Sequence, residues 1–592
     1  MLLLVARQWQ VLRGAPAVPS ALCRSQRLSR PAFAATTRSY AQHSKPDEKK
    51  PWQPVPLNGA IIIPTSIPNT QPADLIHFIK PIVRERITKE TFCVLFVTPA
   101  FAPWLLKDEI FLQQALARAY GELWKDSTNE NPIDVHIQAL CAVVDKLPAG
   151  RRFKSRATVE DEIMCRTKLP PVAEAGFEGI AYVTLPDTAS VSSSGTAPSD
   201  NGAVDFIVNE GTTNDSVSND TLRLPLANTV FQTGTRTTMM LSSWKPHHTT
   251  GRLELISKMN ISHHGIRITG RDRSVDRIMS SLSIPLVPLT VPRRVEGCMG
   301  NIIRRVVGAE GKSVTASSEL EEIVPQFFKS RGEPAQTTTA WALVIPRSLT
   351  DTTNSRTMRL LAKLLKKSEK GQNKRDELWG RLWRSEPPLW NNLASKAVAE
   401  GARLHRVLSG GGGWGKKAGL LSLDPVPASD AADQSSVDGF PGMLGDPEDF
   451  ASTLTPVVHD GDLIQFFISP KPRIDAAGKE VNSQEKLSVL SKDNTWWGWE
   501  LGTIPSTLDS MPGGSWQHTA SPSEWVSVFR NSFGALAEGG LMLTRRLPGK
   551  KGDPSPAIGI TMVDVPCSRF WAVELAEKVG SVEDVGEPKN VE

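Results

Sequence analysis

Eight consecutive residues, Gly410-Gly411-Gly412-Gly413-Trp414-Gly415-Lys416-Lys417, hold the most distinctive chemistry in the sequence. Backbone without side chains, set beside two ammonium groups, can cradle a phosphate because its N–H groups approach the anion closely. The run satisfies the GxxxxGK pattern of a nucleotide-binding loop, but Lys417 stands where Ser or Thr would hold magnesium. Such a loop also needs a strand before it and a helix behind it. Here the preceding LASKAVAEGARLHRVLS is helical in pattern, and residues 420–425 are too few for a helix. The run is therefore expected to be a glycine-rich helix stop, with Gly411, Gly412, Gly413 and Gly415 as candidate phosphate contacts.

Around this loop the charge is segregated. Residues 356–417 contain 15 Lys or Arg and five acids. Trp379, Trp383, Trp390 and Trp414 are interleaved with Lys366, Lys367, Lys374, Arg375, Arg381, Arg384, Lys416 and Lys417. Indoles stack on bases and cations neutralise phosphates, so this segment is the candidate surface for single-stranded RNA. Trp379 and Trp383 are also four residues apart, which fits the buried stripe of a helix whose cationic face is solvated. A second cluster, 252–305, has ten basic and four acidic residues. Its Arg293-Arg294 and Arg304-Arg305 pairs extend the surface if the fold brings them close.

Other chemistry is sparse. His247-His248 and His263-His264 are adjacent pairs, but neighbouring imidazoles in a strand point to opposite faces, and no Cys or acid has ligand spacing. No GxSxG elbow, HExxH helix or complete GxGxxG fingerprint occurs. No catalytic residue, cofactor or metal is assigned.

These residues must be positioned by a chain whose first forty residues stand apart. Arg7, Arg13, Arg24, Arg27, Arg30 and Arg38 face no acid before Asp47, and residues 1–12 can wind into a short amphipathic helix. That is the composition of a mitochondrial transit peptide, and Arg38-Ser39-Tyr40 before Ala41 fits a matrix cleavage site. The rest of the chain has 62 basic and 63 acidic residues. Its overall charge thus gives no support to nucleic-acid binding, which must rest on local clusters. No apolar run is long enough to span a membrane. The five remaining cysteines, Cys93, Cys141, Cys165, Cys298 and Cys567, are widely spaced and exclude a disulfide framework.

The length suggests roughly three to four domain-sized units. A linker is expected at 41–56, then an α/β domain at 57–186 with strands GAIIIP, TFCVLFVT, DVHIQALCAVV and GIAYVTL and a long helix at 103–125. A polar segment at 187–219 has the composition of a disordered loop. A β-rich domain follows at 220–350, including a helix at 317–328 and the strand AWALVI. Residues 351–417 form the basic helical segment with the Gly-rich loop, and 418–458 a second linker. An α+β domain at 459–582 is expected to have helices near 524–538 and 568–579, before a tail at 583–592. The fold class is thus α/β and α+β mixed and multidomain.

The order strand, helix, strand (CVLFVTPAFA), long helix, strand across residues 59–185 resembles the sensory domain called FIST, in which a following part contributes a mostly β half. The small-residue turn of that family after its third strand is missing at 145–150 (DKLPAG), so no residue role carries over. The resemblance implies small-ligand binding rather than catalysis.

The reading is a non-enzymatic protein of the mitochondrial matrix that supports mitochondrial gene expression by binding RNA or a ribonucleoprotein. Two alternatives remain open: a FIST-like small-ligand-binding or assembly protein docking on an acidic partner, and an enzyme holding a phosphate-containing substrate through Lys416 and Lys417.

Overall fold

The structure, a computed structural model, describes residues 52–124, 135–149, 176–192, 202–210, 218–247, 252–268, 277–308, 311–336, 338–347, 359, 375–385, 390, 392–410, 419–425, 457–469, 498–505, 526–547 and 557–577. The fold is mixed α and β and multidomain, with strand outweighing helix and several sheets.

The first sheet has seven strands. Gly59–Pro64 (β1), Phe92–Val97 (β2), Ile137–Val143 (β3), Ile180–Leu185 (β4), Met239–His247 (β5) and Arg252–Asn260 (β6) join Val526–Arg530 in the order β6-β5-β3-β2-β4-β1 and then Val526–Arg530. Only β2 and β3 run parallel; the other neighbours are antiparallel. Continuous apolar runs form these central strands because both faces are covered. Alternate residues divide between two cores: Ile61, Val94 and Phe96 face one, Ile62, Cys93 and Leu95 the other. The second core is closed by helix Leu112–Ala119 (α1), which buries Leu112, Ala115, Leu116 and Ala119. Each buried Leu of this helix contributes about 1.5–3 kcal/mol and each Ala about 0.8 kcal/mol.

The first core is shared with three further sheets, the last of them, the fourth sheet, through Trp341, Leu343, Leu404 and Phe467. One has six strands and pairs Ala203–Glu210 and Ser218–Pro225 with Leu541–Leu547 and Ala557–Val563. Another has five strands and pairs Trp52–Pro54 and Arg277–Ser283 with Arg569–Glu577. Strands from both ends of the sequence thus share sheets, and the cores cut across the linear boundaries at 186, 350 and 459.

The fourth sheet closes on itself. Arg293–Met299 (β7), Ile302–Val307 (β8), Ala340–Ile345 (β10), Arg403–Gly410 (β11), Leu421–Leu423 (β12) and Leu463–Ile468 (β13) form an antiparallel ring in the order β13-β7-β8-β12-β11-β10 and back to β13, with Ser313–Thr315 (β9) added to β8. Helices Ala316–Arg331 (α2) and Arg375–Trp383 (α3) pack Phe327, Phe328, Trp379, Leu382 and Trp383 into its third core. Closure leaves the ring strands without open edges.

Several expected elements differ. The helix at 103–125 is instead a 3-10 turn Pro99–Leu106, α1, and a second 3-10 turn Gly121–Trp124, because Pro103 and Gly121 interrupt regular α bonding. Within the supposed disordered segment 187–219, Ala203–Glu210 is a strand with Val204, Phe206 and Val208 fully buried at period two. The helices expected near 524–538 and 568–579 are strands Val526–Arg530, Ser532–Ala537 and Arg569–Glu577. Their apolar residues pair across sheets, although Ala, Leu and Glu also suit a helix. Helix Leu393–Ala399 (α4) ends early: Gly401 has φ +104 and the chain enters β11, so Ser409 lies in a strand and not at a helix end. Among the described residues, no helix is long and apolar enough to cross a membrane.

Candidate nucleic-acid interface

The basic, Trp-bearing segment is divided by the fold. Trp379 and Trp383 lie four apart on α3, and both point into the third core, 6% and 3% exposed. Their rings are 5.7 Å apart, and Trp383 also packs edge-on against Phe327 at 5.6 Å. The Trp383 indole N–H donates to the Pro288 carbonyl at 3.0 Å. Neither indole face is open to a base, which corrects the expectation that they form a stacking platform. Trp390 is buried in the same core.

The cations of α3 are placed beside the end of α2. Arg384 is exposed, yet its guanidinium donates to the Ser330 carbonyl at 2.8 Å, and Arg331 reciprocates toward the Trp383 carbonyl at 3.3 Å. Arg384 therefore satisfies a C-terminal carbonyl of α2, a role suited to a cation at that pole of the helix dipole. Arg381 is half-buried. Arg375 starts α3, but its side chain lies outside the described residues, as do Lys366, Lys367, Lys374, Gly411, Gly412, Gly413, Trp414, Gly415, Lys416 and Lys417.

The Gly-rich run does follow a strand, contrary to the sequence expectation, but a strand also follows it. β11 and β12 pair antiparallel as the two arms of a hairpin, with Gly410 opposite Leu421. A phosphate loop of the nucleotide-hydrolase kind would require a helix there. The foot of the connection is fixed. Gly419 has φ +81, and a Cβ on it would come within 2.6 Å of the Thr315 side chain. Its carbonyl accepts the Ser317 N–H at 3.3 Å, at the first turn of α2. α3 sits at the opposite end of this 16-residue helix, about 24 Å away.

What does lie at the foot of the hairpin is one pair from the second basic cluster, Arg304 and Arg305. Thr315 is the cross-strand neighbour of Arg305 on β8. Along β8, Ile303 and Val306 are both fully buried, with two exposed arginines between them. Strict alternation would turn one of Arg304 and Arg305 into the core. The pairing with β7 instead skips Arg304, Gly297 facing Arg305 and Cys298 facing Ile303. This bulge inserts one residue and leaves both guanidiniums outside. Among the described residues, neither arginine has a carboxylate partner. Their neighbours are committed differently: Arg293 is buried and bonded to Glu319 of α2 at 2.9 Å, and Arg294 pairs with Glu296 at 3.3 Å.

The sequence flagged the arginine pairs but not the bulge. The signal was present in Ile303-Arg304-Arg305-Val306, where apolar residues fall three apart in an otherwise β-patterned stretch.

The remaining candidate groups are inward-facing. His264 is 2% exposed, bonded through Nε2 to Ser190 Oγ at 3.0 Å, and burial lowers its pKa to about 4. His405 on β11 is 1% exposed, with Nδ1 2.9 Å from the Asp424 carbonyl and Nε2 without a partner among the described residues. Burial first, and then neighbouring Arg403, lower its pKa to about 4. A base so weak is far from the value suited to proton transfer near neutral pH. Among the described residues, no three His, Cys, Asp or Glu side chains gather as a metal site.

No family model, curated protein or solved structure matches this chain.

Proposed function

We propose that this is a non-enzymatic protein of the mitochondrial matrix that binds RNA, alone or within a ribonucleoprotein, in support of mitochondrial gene expression. The observation that carries the binding surface is the bulge in β8, which keeps Arg304 and Arg305 outside together, beside Gly419, which follows Trp414, Lys416 and Lys417 closely in the sequence. Guanidinium groups match phosphate oxygens through paired hydrogen bonds, and a flanking indole adds sequence-tolerant stacking. The arginine-rich, acid-free N-terminus supports the compartment. The binding surface differs from the one drawn from sequence: its centre moves from α3 to β8 and the loop.

The test is RNA crosslinking in intact mitochondria and salt-dependent binding in vitro, comparing wild type with a variant carrying Ala at Arg304, Arg305, Lys416 and Lys417. Four lost phosphate contacts lower the slope of log affinity against log salt by about 3. Equal crosslinking by both proteins refutes the surface, and no crosslink from either refutes the function.

A further inference from the structure

Among the described residues, most of the exposed large hydrophobic side chains lie on or beside β6, in the first sheet and not in the sheet that holds β8. β6 is its last strand, nine residues long, and among the described residues it pairs only with β5. Apart from Leu253, every residue of β6 is exposed, on both faces. Leu255, Ile256 and Met259 are 37%, 52% and 54% exposed. Soluble proteins bulge, charge or cover such an edge, and β6 has a bulge at Ile256 and charges at Arg252, Glu254 and Lys258, so what it offers a partner is its apolar side chains and not an open ladder of backbone groups.

The surroundings of β6 extend the patch. Lys258 pairs with Asp108 at 2.6 Å, and Gln113 donates to the Leu253 carbonyl at 2.9 Å, which holds β6 against residues 106–113. There Leu106 and Ile110 stand exposed. The one-turn helix Val230–Thr233 packs on Pro99–Leu106 and presents Phe231, 97% exposed, beside half-exposed Val230. Seven of the ten exposed large hydrophobic residues among the described residues thus lie on β6, on residues 106–110 that it is held against, and on the one-turn helix at 230–233. Their combined exposed surface is on the order of 700 Å², at or above the largest patch of an ordinary monomer.

We propose that this face is the interface of a homodimer, formed by a second copy of the chain around β6. The area supports that occupant: a stable interface takes about 800 Å² from each partner, and homodimer interfaces are the more apolar ones. The charges around it support it too. Lys107, Arg252 and Lys258 are matched by Asp108, Glu109 and Glu254, so the rim has no single sign to select a strongly charged partner and is compatible with itself. Phe231 supplies the kind of aromatic anchor on which interface energy concentrates.

Sedimentation of the purified full chain across the micromolar range tests this, with Ile256→Asp and Phe231→Asp as variants. Wild type is expected at twice 64.6 kDa and the variants at 64.6 kDa, with unchanged circular dichroism and thermal midpoint. A buried, unpaired carboxylate weakens association by at least about 100-fold. The amides of β6 in wild type should exchange more slowly as concentration rises. Wild type that remains monomeric at about 50 µM, or variants that dimerise as well as wild type, overturn the proposal; a monomer would leave the face to a different protein.

Discussion

Acid sensitivity of the closed sheet follows from His405. Its ring is 1% exposed, and burial lowers its pKa from 6.5 to about 4. In the unfolded chain the ring takes up a proton near 6.5, so unfolding binds a proton at any pH between these values. The resulting stability is complete above 6.5 and is lost as pH falls toward 4. By pH 5.0 the unfolded ring is almost wholly charged and the folded ring almost wholly neutral, a loss of about 2 kcal/mol relative to pH 7.5. His405→Asn removes the titration and retains an amide able to donate to the Asp424 carbonyl. Its smaller volume destabilises the protein at every pH, so the diagnostic is the difference between the two pH values. Native-state hydrogen exchange of β10, β11 and β13 at pH 7.5 and 5.0, corrected for intrinsic rates, measures it strand by strand. Wild type should lose about 2 kcal/mol more than the variant. The comparison is needed because other groups contribute: His264 acts in the same sense from another core, while burial raises Asp145 to about 6 and stabilises the fold as pH drops. Equal losses in wild type and variant would refute a neutral, buried His405.

Two further substitutions separate the hairpin from the Trp cluster. Gly419→Ala places a Cβ against Thr315 in a backbone conformation that disfavours it, and should cost about 1–3 kcal/mol in local opening of β11 and β12, with reduced RNA crosslinking. Trp383→Phe loses the bond to Pro288 and some packing, about 1–3 kcal/mol in thermal unfolding, yet should leave the salt dependence of RNA binding unchanged. A flattened slope in that variant would return the binding surface to α3.

Legibility from sequence followed how local the cause was. The strand Ala340–Ile345 and the central strands β1 to β4 were readable because apolar runs bounded by turn formers leave few alternatives. Helix α2 was readable from its serines and early acids. Where three-apart and two-apart spacings coexist, as in Arg569–Glu577, the choice between helix and strand came from distant pairing partners that no local window contains. The same ambiguity governed the site. Trp379 and Trp383 fitted both a stacking surface and a buried stripe, and the core formed with Phe327 decided for burial. The Gly-rich run was misjudged because β11 becomes a strand by pairing with β10 and the three-residue β12, and α4 in isolation continues a helical pattern into it.

The interleaving of early and late strands imposes an order on biogenesis. The N-terminal sheet receives its outermost strand, Val526–Arg530, more than 300 residues after most of its other members, and Trp52–Pro54 pairs with Arg569–Glu577 at the far end of the chain. A ribosome that releases the chain from its N-terminus therefore delivers β1 long before the second of its two neighbours exists. Until then that edge of β1 has unpaired backbone groups and is prone to wrong pairing. Completion of the first sheet is accordingly a late event, and pairing over so long a stretch of chain slows folding.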